Sequence, residues 1–306
     1  SQLTLNSREP VYNSSSKTGF AHFQPPAHHN KRNRHASHPP FCYYYFFSVF
    51  MGDFSKFSVT TTVQSIPLKI AHQKDLPLCD LVTLSNGEDD STGLKIWLCS
   101  RFLLHLLMRD ESLRDIILGK DILEIGCGTG VVGCALLSSG EKIPSPANYY
   151  FTDCDVEVLR LVDYNCKLNS IAANLFNTYL LNVQDSDISL PLENPANLDL
   201  ILACDVIYDR SFVRPLFQSA HRLLHQSVES ASSWCGVKEK VFALAWCARM
   251  NLTEDQCVAS EDECLEYICD EATLAGFDIK KMKRVIEQEE VGEFRDSSCN
   301  LCIFFL

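Results

Sequence analysis

Asp121-Ile-Leu-Glu-Ile-Gly-Cys-Gly-Thr-Gly-Val-Val-Gly133 is the stretch on which the fold of this chain turns. Its first five residues read as a short apolar strand, the glycines at 126, 128 and 130 as a tight turn, and Val131 onward as a helix. A strand that runs through glycines into a helix lets backbone N–H groups approach a ligand closely. The spacing G-x-G is shared with nucleotide-binding dehydrogenases, so it leaves the ligand open. Glu124, the acid before the first glycine, narrows the choice. A carboxylate there repels a pyrophosphate and attracts a cation.

Outward from this point strand and helix alternate. Strands are expected at 121–125, 149–152, 177–181, 198–204 and 240–247, and helices at 131–139, 156–169, 212–228 and 261–275. Gly276 suits the C′ position of the last helix. Residues 277–287 and 298–305 read as two closing strands with no helix between them. Alternating β and α demands a parallel sheet covered on both faces. The final strand-to-strand connection makes one strand antiparallel. Upstream, 57–63 and 66–70 have strand character, and 80–84 is a third run before the Asn86-Gly87 turn. Residues 88–93 read as a loop, and 94–108 carries helical periodicity. The expected class is α/β: a doubly wound, mostly parallel seven-stranded sheet with helices on both faces and an N-terminal β-hairpin.

Composition sets the boundaries. Residues 1–50 hold five of the nine histidines and five of the twelve prolines, a mixture that buries too little surface to order itself. Met51-Gly52-Asp53 resembles a natural start. We therefore expect 1–50 to be disordered or outside the mature protein, 51–92 to form the hairpin region and 93–306 the main domain. The aromatic run at 41–50 is about half the length of a membrane span. The chain carries a net charge of −12, to which residues 1–50 contribute +4 and the remainder −16. Such a body disfavours direct contact with nucleic-acid phosphates and suits a partner presenting a basic segment. Fifteen cysteines, scattered through the expected strands and helices, read as reduced thiols of a nuclear or cytoplasmic protein. Cys299-Asn-Leu-Cys302 stands alone, without a second pair, so no metal site is expected.

In doubly wound sheets ligands bind at the carboxyl ends of the strands, where the strand order reverses. The second strand ends at Asp153, which is placed to accept both hydroxyls of a ribose and lies 23 residues beyond Gly130. Asp155 competes with it but better suits the N-cap of the next helix. After the third strand, Asn182 or Asp185 could meet an adenine amino group, or could belong to a solvated turn. The fourth strand ends at Cys204-Asp205-Val-Ile-Tyr208. A carboxylate and an aromatic at that point can hold and channel an ammonium group.

The 121–133 stretch resembles motif I of the class I (seven-β-strand) methyltransferases. Asp205-Val-Ile-Tyr208 resembles the D-x-x-Y motif of the family-16 group, the methyltransferase-like proteins that mostly modify lysines. Gly93-Leu-Lys-Ile-Trp97 is similar to a G-x-x-x-W at that group's pocket rim, and Trp97 would pack on the cofactor or its lid. The Arg249-x-Asn251-x-Thr253 cluster is nearest the branch of methyltransferase-like protein twenty-two. The resemblance covers residues 66–306. It departs at Asn182-Val183, where relatives often carry a Trp, and at 230–240, an insertion without counterpart. It implies a Rossmann-like methyltransferase sheet, S-adenosylmethionine as cofactor and methyl transfer to a lysine of a protein by a chain expected to be a monomer. Cofactor contacts would come from Trp97, Glu124, Gly126, Gly128, Gly130, Asp153, Asn182, Asp185 and Cys204, and Asp205 with Tyr208 would receive the lysine. Transfer to a small molecule or RNA, and a non-catalytic cofactor-binding module, are the alternatives.

Overall fold

The computed structural model describes residues 57–73, 92–185 apart from 139, 141 and 144, 197–230 (without the side chains of 227–230), 239–248, 260–286 and 299–306. The expectations for 1–50, 80–84, the Asn86-Gly87 turn, 88–91 and the Arg249-x-Asn251-x-Thr253 cluster lie outside these residues, as does most of the insertion at 230–240.

Nine strands and six α-helices are seen among the described residues. β1 (Ser58–Val63) and β2 (Ile66–His72) pair antiparallel as the expected hairpin. Next come α1 (Leu98–Arg109), α2 (Glu111–Arg114), β3 (Asp121–Ile125), α3 (Val131–Ser138), β4 (Asn148–Asp153), α4 (Val156–Leu168) and β5 (Phe176–Leu180). The chain continues through β6 (Leu198–Cys204), α5 (Arg210–Ser230), β7 (Val241–Cys247), α6 (Glu261–Ala275), β8 (Lys283–Ile286) and β9 (Cys299–Phe305). The seven-stranded sheet has the order β5-β4-β3-β6-β7-β9-β8, and β9 alone runs antiparallel to its neighbours. The strand order reverses between β3 and β6, whose carboxyl ends therefore flank a crevice.

Both sheet faces are covered, which is why β3, β6 and β9 are buried along their whole length. One face packs on the hairpin and on α1, α3 and α4, the other on α5 and α6. Gly133 lets α3 lie close on the sheet, since a Cβ there would come within 2.2–2.4 Å of the Phe151 and Tyr149 rings. Helix α6 begins in a capping box between Ser260 and Glu263 and stops at Gly276, whose φ of 107° only glycine adopts readily.

Two segments depart from expectation. Of the described part of the strand expected over 277–287, residues 277–286, only Lys283–Ile286 is a strand. Phe277 instead turns into the aromatic cluster with Phe217 and Phe304, and Asp278 caps a 3₁₀ turn at Ile279–Lys281. The helix expected over 94–108 is broken in two. Thr92–Leu94 forms a 3₁₀ turn, and α1 starts at Leu98 after an extended Trp97. The apolar period continues across the break, which is why it reads as one helix. The short helix α2, capped by Asp110, lies below the length at which periodicity is legible.

The hairpin is held to the domain by two asparagines one turn apart, one on α4 and one at its C-cap. Asn165, fully buried, accepts from the Ala71 N–H (2.7 Å) and donates to the carbonyls of Ala71 (3.1 Å) and Thr129 (2.9 Å). Asn169 repeats the pattern on Lys69. One side chain thus ties β2, α4 and the glycine turn together. Asn165→Ala leaves a buried amide and two carbonyls without their partner, so it is expected to cost about 1–3 kcal/mol. Urea denaturation measures this, and a loss below experimental error would mean that water replaces the amide.

Candidate active site

A cavity of about 300 Å³ opens at the carboxyl ends of β3, β4, β5 and β6. Its walls are built from the strand ends and the turns beyond them: Gly126 and Gly128 after β3, Asp153 at the end of β4, Leu181 to Val183 after β5, and Cys204 to Val206 with Tyr208 at β6. Thr92, Gly93 and Trp97 close it from above, and Phe212 and Leu216 of α5 from the side. Among the described residues, the only charged ones lining it are Asp153 and Asp205, both acidic. Such a lining accommodates a cation and disfavours a pyrophosphate.

The glycine turn is shaped for close approach. Gly126 (φ 66°) and Gly128 (φ 52°) both sit in the left-handed region. A Cβ on Gly126 would fall 2.5 Å from Val206, and one on Gly128 would fall 3.2 Å from the Gly93 carbonyl. Gly130 (φ 71°) is outside the cavity, and its missing Cβ makes room for Val162 and Phe151. It serves packing and does not line the cavity.

Asp153 accepts from the Gly128 N–H at 3.1 Å through one oxygen and from the Asp155 N–H at 3.2 Å through the other. Each oxygen keeps acceptor capacity for one of two neighbouring hydroxyls. Burial raises its pKa, while these two N–H groups pull it back. Asp155 accepts from Glu157 N and caps α4, as its competing assignment required. Asp153→Ala is expected to remove charge-assisted bonds of about 1.5–3 kcal/mol and weaken cofactor affinity by roughly tenfold or more. Asp155→Ala should lower stability with little effect on affinity, and calorimetry on both variants tests the assignment.

Glu124 is a correction. Its carboxyl is buried beneath α3, accepts from Tyr149 Oη at 2.8 Å and faces the Gly133 backbone, outside the cavity. Side chains alternate along β3, so the residue before Ile125 points to the opposite face. Burial, reinforced by Asp153, pushes its pKa up to about 8. The carboxyl expected to attract a cation therefore lies outside the cavity, and its burial favours the neutral form. The raised pKa has a consequence for stability. The folded chain holds a proton there that an unfolded chain releases above its ordinary value of 4.5. Stability from this group is thus complete at low pH and is lost as pH rises from 4.5 through about 8. Glu124→Gln should flatten that loss. The difference between the two proteins' denaturation midpoints at pH 5 and at pH 9 is the measurement, and a constant difference would count against it.

Asn182 lines the cavity, whereas Asp185 is exposed and turned toward Asn182, 3.3 Å from its amide. The two form a turn, and of them only Asn182 lines the cavity. Trp97 lines the rim as the N-cap of α1, with its indole N–H donating to Thr92 O at 2.8 Å. Cys204 contributes to the floor.

Asp205 is 6% exposed and has φ 61°, a conformation in which Asp is less strained than most non-glycine residues. Its Oδ2 accepts from the Cys99 N–H at 3.0 Å, and its Oδ1 lies 3.7 Å from the Cys247 thiol. α1 has no side-chain cap of its own, and this carboxylate from another strand supplies one at the positive end of the helix. Tyr208 is 44% exposed at the mouth, its ring 5.1 Å from that of Phe212. Cavity residues with no signature in the sequence are Thr92, Cys154, Val206, Phe212 and Leu216. Of these only Phe212, four residues beyond Tyr208, had a spacing that could have marked it.

Comparisons with known proteins come down on one side. The family model described as lysine methyltransferase matches residues 79–242, more than half of the chain. Among curated proteins, no sequence matches. Solved structures with a similar course include a putative RNA methyltransferase from Pyrococcus horikoshii, 15% identical over 73% of this chain and 93% of that one (TM-score 0.39). Another is TYW2 of M. jannaschii in complex with AdoMet, 9% identical over 81% and 85% (TM-score 0.43). A third is an S-adenosylmethionine-dependent methyltransferase from Clostridium acetobutylicum, 12% identical over 74% and 96% (TM-score 0.41). None of them bears on the acceptor. The chain belongs to the lysine methyltransferase family and is an S-adenosylmethionine-dependent methyltransferase.

Proposed function

We propose that the protein transfers a methyl group from S-adenosylmethionine to the side-chain amine of a lysine in a protein substrate. The observation that carries this reading is the cavity lining, in which the described residues place two acids and no base around a site open to solvent at an aromatic pair. When bound, S-adenosylmethionine supplies an electrophilic methyl on a cationic sulfur. Asp153 would hold the ribose. Gly126 and Gly128 would border the methionine end, and Leu181, Asn182 and Val183 the adenine.

The acceptor's channel would run past Tyr208 and Phe212, whose ring faces attract a cation. The ammonium would give up one proton to solvent at the mouth, and Val206 and Leu216 would strip water from the resulting amine so that its lone pair meets the methyl in line. Asp205 keeps its hydrogen bonds with Cys99 N and Cys247. We therefore read it as a positioning residue. It fixes the start of α1, and with it Trp97, while its charge favours an incoming ammonium.

The net charge of −16 beyond residue 50 favours a basic protein segment over RNA. We further place the chain nearest the branch of methyltransferase-like protein twenty-two, and in the nucleus or cytoplasm, where its many cysteines stay reduced. No described helix is long and apolar enough to cross a membrane. The test is transfer of labelled methyl into whole-cell extract, followed by acid hydrolysis of the labelled fraction. Methyllysine in discrete protein bands is the expected product. Label confined to RNA or to small molecules would replace the lysine reading.

A further inference from the structure

Three residues from three elements meet at the cavity wall: Cys99 in the first turn of α1, Asp205 after β6 and Cys247 at the end of β7. The Cys99 and Cys247 sulfurs and an Asp205 oxygen all lie within 4.8 Å of one another. Cys247 and Cys299 are directly opposed in the β7–β9 register, so Cys299 lies beside this group without belonging to it. Two thiols and a carboxylate thus share one small volume.

We propose that Cys99, Cys247 and Asp205 bind a zinc-class divalent ion. The donor set fits. Thiolates select zinc or copper(I), and a carboxylate among them favours the harder zinc(II). The geometry fits as well. A tetrahedral zinc with ordinary Zn–S and Zn–O bonds sets the sulfur-to-oxygen edge at roughly 3.5 Å, against 3.7 Å between Cys247 Sγ and Asp205 Oδ1. Asp205 is also oriented as a ligand carboxylate should be. Its Oδ1 faces the thiols while Oδ2 is held by the Cys99 N–H, the outer hydrogen bond that fixes a metal-binding carboxylate. Its left-handed backbone, uncommon outside glycine, is what turns the carboxylate toward the thiols.

Three protein ligands leave one tetrahedral position for water. The ion clamps the start of α1, and hence the rim at Trp97, to β6 and β7. It would do so whether or not the acceptor is a lysine, because the inference does not rest on the methyl-transfer reading. The grouping cannot be found from spacing. The one C-x-x-C pair points elsewhere: Cys299 faces the α1 layer, whereas Cys302 lies in the opposite layer and accepts from the Trp246 indole.

The test uses the full chain, stripped of metal by a chelator under reducing conditions and titrated with cadmium(II) as a spectroscopic substitute for zinc. The expected result is a sulfur-to-cadmium charge-transfer band that includes one saturating ion lost in Cys247→Ser and in Cys99→Ser. Each variant should weaken that ion by more than the roughly 10–100-fold that loss of an outer hydrogen bond costs. Cys269→Ser, remote from the cluster, should leave it intact. Zinc should also raise the melting temperature of the wild-type chain and not that of Cys247→Ser. If buried Cys99→Ser fails to fold, the half-buried Cys247 still carries the comparison. A band unchanged in Cys247→Ser, or a Cys247–Cys299 disulfide found by mass spectrometry in protein purified under reducing conditions, would overturn the proposal.

Discussion

Gly128→Arg is expected to abolish S-adenosylmethionine binding in a chain that still folds. Gly128 lines the cavity, has φ 52°, and gives its N–H to Asp153. Any side chain there starts 3.2 Å from the Gly93 carbonyl and must grow into the space the ligand needs. Arginine adds a positive charge beside Asp153, where it competes directly with a cationic ligand. The left-handed backbone costs a non-glycine residue about 1–2 kcal/mol, a loss a folded domain survives. Gly119→Arg provides the control. It has φ 64° with nothing within 4 Å of a Cβ, so it bears the same backbone strain far from the site. Calorimetry should find no binding in the first variant and full affinity in the second, with similar melting temperatures. Unchanged affinity in a folded Gly128→Arg would refute the role given to the glycine turn.

The second large effect separates binding from chemistry. Tyr208→Ala removes an aromatic wall at the mouth, beside the acceptor and away from the ribose and adenine contacts. Turnover should fall by about 2–4 kcal/mol of barrier, a rate loss on the order of a hundredfold, with cofactor affinity nearly unchanged. Asp205→Asn is the sharper probe. Asn tolerates the left-handed backbone and can still accept from Cys99 N–H, so the start of α1 is retained while the charge is lost. In the metal-free chain its turnover should fall and its KM for the acceptor should rise, whereas an Asp205 that acted only as a cap or metal ligand would change only stability. Methyl transfer to a protein extract, run beside calorimetry on both variants, gives the answer. Equal loss of cofactor binding would move both residues into the cofactor site.

The residues whose roles were legible in advance are those whose constraint is local. Gly126 and Gly128 had to be glycine because the turn has positive φ. Asp153 had to end a strand, and Asp155 had to precede a helix by one residue. Strands β3 and β6 and helix α6 were readable to the residue, since both-face burial leaves a mostly apolar run and a capping box with a Gly C′ marks its helix on both ends. Glu124 failed for a reason just as local. Strand alternation at the last residue before the turn decided which face it met, and a one-residue difference in where the strand ends reverses that outcome.

Everything that depends on residues far apart in the chain was decided by the tertiary structure. Asn165 reads as one polar residue in an amphipathic helix, and only the hairpin packed against it reveals a buried clamp. Asp205 was recognised as a strand-end acid, but its task as the cap of α1, 106 positions earlier, exists only in the assembled sheet. The cysteines make the same point. Fifteen scattered thiols have no readable pairing, because strand register and helix placement choose which of them meet. The sequence by itself determined the order of strands and helices, the glycine turn and the acid beyond it, all of which are set by backbone geometry within a few residues. Which side chains face the cavity, which carboxyl keeps its proton and which thiols converge beneath α1 depend on burial and long-range packing, and only the tertiary structure decided them.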